Sequence, residues 1–580
     1  MAVPLSRTRR YTVLLLLLCG FGAVLWRLVE LQVLQAAELT MKADRQHQKT
    51  VSLEGARGSI FDRHGKMLAM NLEVPSVFGV PNALDNPAKT AQSLSPVLRV
   101  RARELERKLK QDRGFVWLAR KLDPEQGRRL EQLSVEGIGI VMEGRRFYPK
   151  GPLLSHVLGF AGMDGGGLEG VERRYESQLR GKKQVTVLQR DALGRTVFPK
   201  GLAHQTPAPG HDLVLTIDEV IQYIAEKELE EVVARTQAKS GTIIALDPQT
   251  GGLLALAVSP RFDPNAVSTL GPNHWRNRAL ADAYEPGSTM KAIIAAAALE
   301  EGVMRPNTVV FGENGRWPVA NTVIHDHEKL GWMSFAQVIH RSSNIGAAKT
   351  GMELGDQRLF RYLQDFGFGQ QTEIDLPGEA VGLLKKPRDW GRRSIASISM
   401  GQEIGVTPLQ MVSALATIAN GGVLMKPHVV SEIRDVEGRV LKEVLPQVKR
   451  RVVSPDTART VTDILEGVIT DGTGAKAAIA GFRVAGKTGT AQKIDPKTGT
   501  YSKSQFVSSF VGYVPAEAPR IAMIVVIDEP EGDAWGGTVA APVFSRVGVQ
   551  VLNYLGVSST EPVKLAMASG GFNLIPAGRR

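Results

Sequence analysis

The chain has 580 residues, of which 43% are hydrophobic and 22% charged, so it has the composition of a globular protein and the length of two or three domains. Its formal net charge of +12 is compatible with nucleic acid, anionic lipid or an acidic polymer as a partner. No basic run is interleaved with aromatic residues, which argues against nucleic acid. The single cysteine, Cys19, excludes an internal disulfide and a thiolate metal site.

The N-terminus carries a basic segment followed by an apolar one. Arginines at positions 7, 9 and 10 precede an uncharged stretch from Tyr11 to Trp26, which reaches about residue 30 if the next arginine extends its head to the interface. A cleaved signal peptide would have a shorter apolar core and a better cleavage site than Ala36-Ala37. The pattern predicts a transmembrane anchor at residues 11–30, with residues 1–10 as a cytoplasmic tail and the bulk of the chain outside.

Residues 36–215 predict a mixed module without catalytic residues. Glycines supply turns in the charged segment 57–66, residues 97–134 predict short solvated helices, and a glycine-dense loop opens onto a short helix at 165–172. No nucleophile or ligand set accompanies the charged residues of the two loops. We therefore expect ion pairs that tie the module together, made by Asp62, Arg63, Glu169 and Glu172.

The pattern changes at about residue 210. A strand at 212–218, a helix through Ala234 and two apolar strands at 241–247 and 253–258 are predicted. Alanine-rich helices then dominate from 288 to 420, and strands return at 482–488, 506–514 and 521–528. Strands on both sides of the helices predict one sheet that is built from both ends of the domain and packed against a helical layer.

A candidate nucleophile lies where the first strands give way to helices, in the segment Glu285-Pro-Gly-Ser-Thr-Met-Lys291. Serine is preferred at a helix start, and a spacing of three places Ser288 and Lys291 on one helix face. A lysine with a lowered pKa can take the proton of a serine hydroxyl and make it a nucleophile. Alone, this pattern is more often a capping serine followed by a surface lysine.

Two further segments strengthen the catalytic interpretation. Ser342-Ser343-Asn344 precedes a helical run, and Lys487-Thr488-Gly489-Thr490 follows a strand. The order S-x-x-K, S-x-N, K-T-G is that of the serine enzymes that penicillins acylate. Lys497-Thr-Gly-Thr500 repeats the last motif, but it follows Asp495-Pro496 in a polar stretch, so we predict a loop there and place the site at Lys487.

With these motifs, the chain resembles the class B penicillin-binding proteins, the monofunctional peptidoglycan transpeptidases, over nearly its whole length. Segments 57–65 and 167–172 resemble that family's pedestal signature, with His64 where the family usually has Asn. Segments 401–403, 407–410 and 536–544 resemble parts of its transpeptidase domain that shape the cleft. The resemblance implies an α+β fold: one transmembrane helix, an elongated mixed pedestal at 36–215, a β-lactamase-like transpeptidase domain at 216–556 in which an antiparallel sheet packs with a helical layer, and a flexible tail at 557–580.

The resemblance also implies a mechanism with no metal and no cofactor. The nucleophile attacks the carbonyl between the terminal D-alanines of a stem peptide, and an amine of a neighbouring stem then resolves the acyl-enzyme into a cross-link. β-Lactams would acylate the same serine. The implied residues are catalytic Ser288, Lys291, Ser342, Asn344 and Lys487, substrate-binding Thr488, Gly489 and Thr490, and the backbone N–H groups of Ser288 and Thr490 as oxyanion hole.

Other functions stay open. A D,D-carboxypeptidase would share the chemistry, and a β-lactam sensor or inactive scaffold would keep the pocket without turnover, although a sensor would need a larger cytoplasmic part than about ten residues. A β-lactamase is disfavoured by the anchor and the pedestal. His325-Asp326-His327 could chelate a metal, but no third ligand is placed by the sequence, and a polar loop is the simpler interpretation.

Within the family, the RGSIFDRHG form and the short tail look more like the division-specific, septal branch than the elongation branch. The septal branch implies a polytopic glycosyltransferase and other division proteins as partners, because no glycan-polymerising domain is recognisable here. The expected location is the cytoplasmic membrane, with one span and the catalytic domain on its outer face.

Overall fold

The computed structural model describes residues 7–133, 135–190, 196–197, 207–320 and 322–561. The predicted tail at 557–580 therefore lies mostly outside the described residues. The described residues fall into two units, one drawn from residues 1–56 and 180–210 and the other from residues 57–179 and 211–580.

The elements of both units are given in chain order. The helices before residue 180 are α1 (Arg7–Val29), α2 (Ala36–His47), α3 (Pro87–Leu98), α4 (Ala102–Leu109), α5 (Pro124–Leu133), α6 (Ser155–Leu158), α7 (Gly170–Arg174) and α8 (Glu176–Leu179). The strands before residue 200 are β1 (Gln48–Glu54), β2 (Ile60–Phe61), β3 (Met67–Gly79), β4 (Val116–Ala119), β5 (Ile138–Phe147), β6 (Lys183–Arg190) and β7 (Thr196–Val197).

Beyond residue 210, the helices are α9 (Glu219–Thr236), α10 (Pro272–Trp275), α11 (Arg278–Ala281), α12 (Met290–Glu300), α13 (Phe335–His340), α14 (Asn344–Leu354), α15 (Asp356–Asp365), α16 (Ser394–Ser399), α17 (Pro408–Ala419), α18 (Pro455–Thr470), α19 (Gly536–Val539) and α20 (Ala541–Tyr554). The strands are β8 (Asp212–Leu215), β9 (Ser240–Leu246), β10 (Leu253–Ser259), β11 (Val309–Phe311), β12 (Arg316–Val319), β13 (Thr322–His325), β14 (Trp332–Ser334), β15 (Val423–Met425), β16 (Val430–Arg434), β17 (Val440–Glu443), β18 (Val448–Arg451), β19 (Ala485–Ile494), β20 (Tyr501–Val514) and β21 (Ile521–Asp528).

The first unit contains the apolar helix and a three-stranded sheet in the order β1-β6-β7. The helix runs from Arg7 to Leu34, its 18-residue apolar window has a mean hydropathy of 2.2, and its last five residues form a π-helical turn. At 1.5 Å per residue its 28 residues are about 40 Å long, enough to cross a hydrocarbon core of about 30 Å. Arg27 pairs with Glu30 at 2.7 Å, as expected for charges at the end of a span.

The second unit contains a seven-stranded pedestal sheet, ordered β17-β16-β8-β2-β3-β4 with β5 also paired to β3. Two segments of this unit differ from the sequence prediction. The segment 97–134 is not merely solvated, since Leu105, Leu109 and Leu130 are buried in a common core and β4 lies within the segment. The strand predicted at 212–218 ends at Leu215 and joins this sheet, where it pairs with β16.

Ion pairs hold the pedestal loops, in part as predicted. Glu172 is fully buried, and its carboxylate binds Arg57 at 2.6 Å and Arg146 at 2.5 Å. Glu169 lies 3.8 Å from Arg173. For Asp62 the prediction was wrong, because its oxygens accept backbone N–H groups of residues 64, 66 and 219. Within the described ranges, the Arg63 side chain makes no ion pair.

The catalytic region is built on a five-stranded antiparallel sheet in the order β10-β9-β21-β20-β19. The predicted origin of this sheet from both ends of the domain is confirmed. Alternation along β9 sends Ile243 and Ala245 toward α9 and α20, and Ile244 and Leu246 toward the helical layer that includes α12 and α17. The helical region is less uniform than predicted, because two short ribbons, β11–β14 and β12–β13, interrupt it.

Candidate active site

The nucleophile segment is held by close backbone packing. Gly287 has a φ of +54° and opens a 3₁₀ turn, Gly287–Thr289, that leads into α12. Its N–H donates to the carbonyl of Gly401 at 3.0 Å. Gly401 has a φ of +82°, and a Cβ there would lie 2.0 Å from the carbonyl oxygen of Gly287. Gly401 therefore fixes the turn that presents Ser288 to the cleft, the shaping role expected of this segment.

Lys291 is the second residue of α12, one turn after Ser288, and is completely buried. Its Nζ donates to the carbonyl of Ser342 at 2.6 Å, to Asn344 Oδ1 at 2.8 Å and to Ser342 Oγ at 3.3 Å. Burial lowers the pKa of this ammonium to about 7, against the opposing attraction of Asp326. A large fraction of Lys291 is therefore neutral near pH 7 and able to accept a proton.

Lys487 reaches the same point from the sheet. It is completely buried on β19, and its Nζ donates to Ser342 Oγ at 3.1 Å and to Thr488 Oγ1 at 3.3 Å. Burial and then the charge of Lys291 hold its pKa well below the usual lysine range. The Ser342 hydroxyl thus lies within hydrogen-bond distance of both amines. The backbone of Ser342 has a φ of +59°, a left-handed conformation that residues other than glycine rarely adopt and that is found at functional sites.

Asp326 is a site residue that the sequence analysis did not assign. Its carboxylate accepts the Ser343 hydroxyl at 2.6 Å and the N–H groups of Asn344 and Ile345, so it caps the N-terminus of α14. The Asn344 amide nitrogen also donates to the His325 carbonyl at 2.9 Å. Asp326 therefore positions the S-x-N segment. No local sequence signal marks this role, because the helix start that Asp326 contacts lies 18 residues further along the chain.

The strand β19 borders the cleft as an edge strand, so one row of its backbone groups is not used by the sheet. The Thr490 hydroxyl accepts the N–H of Gly536 at 2.9 Å, and the Thr488 hydroxyl lies 2.7 Å from that of Thr473. A Cβ on Gly489 would meet Thr289 and the carbonyl of Pro286 within 3.0 Å, so a side chain at 489 would push the nucleophile turn away.

A cleft of about 750 Å³ brings the remaining groups together. Its walls include Ser288, Asn344, Thr490 and the edge-to-face pair of His327 and Trp535, whose ring centroids are 4.6 Å apart. Ser288 and Asn344 therefore line one cleft, and Asn344 connects it to the buried cluster of Lys291, Ser342 and Lys487.

A second contact not foreseen from sequence joins the β19–β20 hairpin to the nucleophile segment. Tyr501 donates to the carboxylate of Glu285 at 3.0 Å, and the same carboxylate accepts the N–H of Glu403 at 2.9 Å. Lys497 lies in the exposed turn of this hairpin, with its N–H on Asp495 at 2.8 Å, as the loop prediction had it.

Comparison with known proteins supplies independent information. The family model described as the penicillin binding protein transpeptidase domain matches residues 241–548, and that described as the penicillin-binding protein dimerisation domain matches residues 52–215. Stage V sporulation protein D of Bacillus subtilis is 34% identical over 94% of this chain and 86% of its own length. Peptidoglycan D,D-transpeptidase FtsI of Escherichia coli is 31% identical over 93% of this chain and 92% of its own.

A solved structure agrees with these matches. The crystal structure of penicillin binding protein 3 from Mycobacterium tuberculosis, complexed with aztreonam, superposes with a TM-score of 0.69 at 26% identity, covering 88% of this chain and 99% of that one.

Proposed function

The chain belongs to the class B penicillin-binding proteins, and from that premise we propose that it is a peptidoglycan D,D-transpeptidase whose serine acyl-enzyme forms on Ser288. The observation that carries the proposal is the Ser342 hydroxyl, which lies 3.3 Å from the Lys291 amine and 3.1 Å from the Lys487 amine beside the Ser288 cleft. Two buried amines around one hydroxyl form a short proton path, which a purely structural lysine pair would not need.

In the first half-reaction, Ser288 Oγ attacks the carbonyl carbon of the penultimate D-alanine, and neutral Lys291 takes the hydroxyl proton. The backbone N–H groups of Ser288 and Thr490 stabilise the oxyanion, each such donor being worth about 3 kcal/mol in a transition state. The C–N bond then breaks, and Ser342, backed by Lys487, delivers a proton to the departing nitrogen of D-alanine. The product is an ester on Ser288.

The substrate is held along the edge of the sheet. A peptide that pairs with the free edge of β19 places its carbonyl at the nucleophile turn, which is strand addition to an exposed edge. The hydroxyls of Thr488 and Thr490 bind the terminal carboxylate, Gly489 lets the strand lie close to the nucleophile turn, and Asn344 orients the substrate amide together with Lys291.

In the second half-reaction, an amine of a neighbouring stem attacks the ester carbonyl and gives its proton back through the same groups. Ser288 is freed, and a peptide bond links the two stems. A β-lactam enters by the first step alone, because its opened ring stays attached and no D-alanine leaves.

We place this activity in septal wall synthesis. Similarity to the relatives named FtsI and stage V sporulation protein D supports that assignment. The α1 helix would hold the chain in the cytoplasmic membrane with the catalytic region outside, and a polytopic glycosyltransferase with other division proteins would supply new strands. No metal or cofactor takes part in the proposed steps.

The proposal is tested with full-length protein in detergent, supplied with lipid-linked disaccharide pentapeptide and a glycan polymerase. Wild type should yield dimeric muropeptides by mass spectrometry, and Ser288→Ala should yield none. Release of D-alanine without dimers would instead identify a carboxypeptidase. Absence of both products would support the sensor or scaffold alternative.

A further inference from the structure

An exposed aromatic surface lies outside the catalytic groups, on the ribbon formed by β11 and β14. Phe311 and Trp332 are cross-strand partners, and their ring centroids are 4.8 Å apart with an interplanar angle of 37°. Trp332 is 74% exposed and Val309, two residues before Phe311 on the same face, is 64% exposed. The opposite face of the ribbon carries Val310 and Met333, which are buried. We call Val309, Phe311 and Trp332 the aromatic platform.

Lys349 supports the Phe311 side of the platform. The Lys349 ammonium donates to the Phe311 carbonyl at 2.8 Å, pairs with Glu313 at 2.6 Å and lies 5.8 Å from the Phe311 ring centroid and 5.1 Å from that of Trp317. Trp332 keeps most of its surface exposed although Phe311 covers one side of it. One face of the indole therefore packs on Phe311 and the other is open to a ligand.

Chain geometry places the platform near the cleft. His327 lines the cleft, and Trp332 follows it by five residues, which span at most roughly 18 Å. Lys349 lies five residues beyond Asn344 on α14, a rise of about 7.5 Å, and its ammonium then reaches Phe311. The scissile carbonyl belongs to the penultimate residue of a five-residue stem, so four extended residues at about 3.3 Å each separate it from the sugar by roughly 13 Å, which lies within that limit.

We propose that the aromatic platform binds the glycan backbone to which the stem peptide is attached, by stacking the apolar C–H face of an N-acetylated pyranose ring on Trp332. This inference rests on the proposed function, since it deepens the substrate of the same cleft. The C–H face of a sugar ring stacks on an aromatic ring through dispersion and through attraction to the negative face of the π-system. Glu313 and Lys349, at the rim, offer polar groups to hydroxyl and acetamido substituents.

The size of the platform favours a sugar over a protein. The platform has three side chains, two of them exposed, whereas a stable protein interface takes about 20–30 residues from each partner. A glycan bound here would hold the donor strand while the stem enters the cleft. Loss of the platform should therefore weaken binding of polymeric substrate without changing the acylation chemistry.

The test measures binding of glycan strands, stripped of their stem peptides by an amidase, to the detergent-solubilised full chain by isothermal titration calorimetry. Trp332→Ala should weaken binding roughly three- to tenfold, and Trp332→Phe should retain part of it. The matched control is Tyr223→Ala, which removes an aromatic side chain that is 58% exposed on α9 and should bind as wild type does.

Acylation by a fluorescent penicillin, measured on the same proteins, should be equal in wild type and all three variants. No glycan binding by wild type, or equal binding by Trp332→Ala and wild type, would overturn the glycan site, and the platform would then be assigned to a protein or lipid partner. Failure of wild type to be acylated would instead overturn the proposed function, and the glycan titration would still report on the platform.

Discussion

The clearest prediction concerns how acylation depends on pH. Full burial lowers the pKa of Lys291 from 10.5 to about 7. Because the neutral amine is the base, activity is lost as pH falls through that value. About 9% of Lys291 is neutral at pH 6 and about 91% at pH 8, whereas an unshifted lysine would be only about 0.03% neutral at pH 7. Burial therefore raises the base-competent fraction at pH 7 roughly 10³-fold.

The assay is stopped-flow acylation by a fluorescent penicillin between pH 5.5 and 9. The second-order rate constant should rise about tenfold per pH unit below pH 7 and level off above it. Lys291→Arg should be inactive at every pH, because an arginine stays protonated. A rate constant that continues to rise through pH 9, or one that is flat from pH 5.5, would refute the assignment of Lys291 as a base activated by burial.

Four further substitutions test the choice of lysine, the nucleophile turn and the pedestal. Lys487→Ala should abolish acylation whereas Lys497→Ala should leave it unchanged, and the opposite result in the penicillin-labelling assay would reverse the choice between the two motifs. Gly401→Ala should slow acylation by roughly 10²-fold, because its Cβ displaces the nucleophile turn, and a rate equal to that of wild type would contradict that packing. Glu172→Gln should lower the free energy of unfolding by about 3–5 kcal/mol, because it leaves the buried Arg146 without a charge partner and Arg57 with Glu176 alone, and an unchanged melting temperature would contradict this.

The sequence predicted the chemical groups of the site better than their supports. Spacing within one helix relates Ser288 to Lys291, and strand context separates Lys487 from Lys497, so local patterns were sufficient for both. Asp326 acts through contacts with a helix start 18 residues further along the chain, and no motif marks such a residue.

The fold, too, could be predicted from sequence only where local patterns determine it. Alternation and apolar runs identified the central strands β9, β10, β20 and β21, which are long and buried. The ribbons β11–β14 and β12–β13 have strands of only three or four residues, too short for a periodic pattern, and they were predicted as part of a helical region. The pairing of β8 with β16 joins Leu215 to Val430, a long-range contact that turn and periodicity signals do not contain.

The measurement that most directly tests Ser288 as the acylated nucleophile is intact-mass analysis of the full chain after incubation with penicillin, followed by peptide mapping. Wild type should gain the mass of one penicillin on the peptide that contains Ser288, and Ser288→Ala should gain none. An adduct of equal yield on Ser288→Ala, or a wild-type adduct that maps to another residue, would contradict the proposed site.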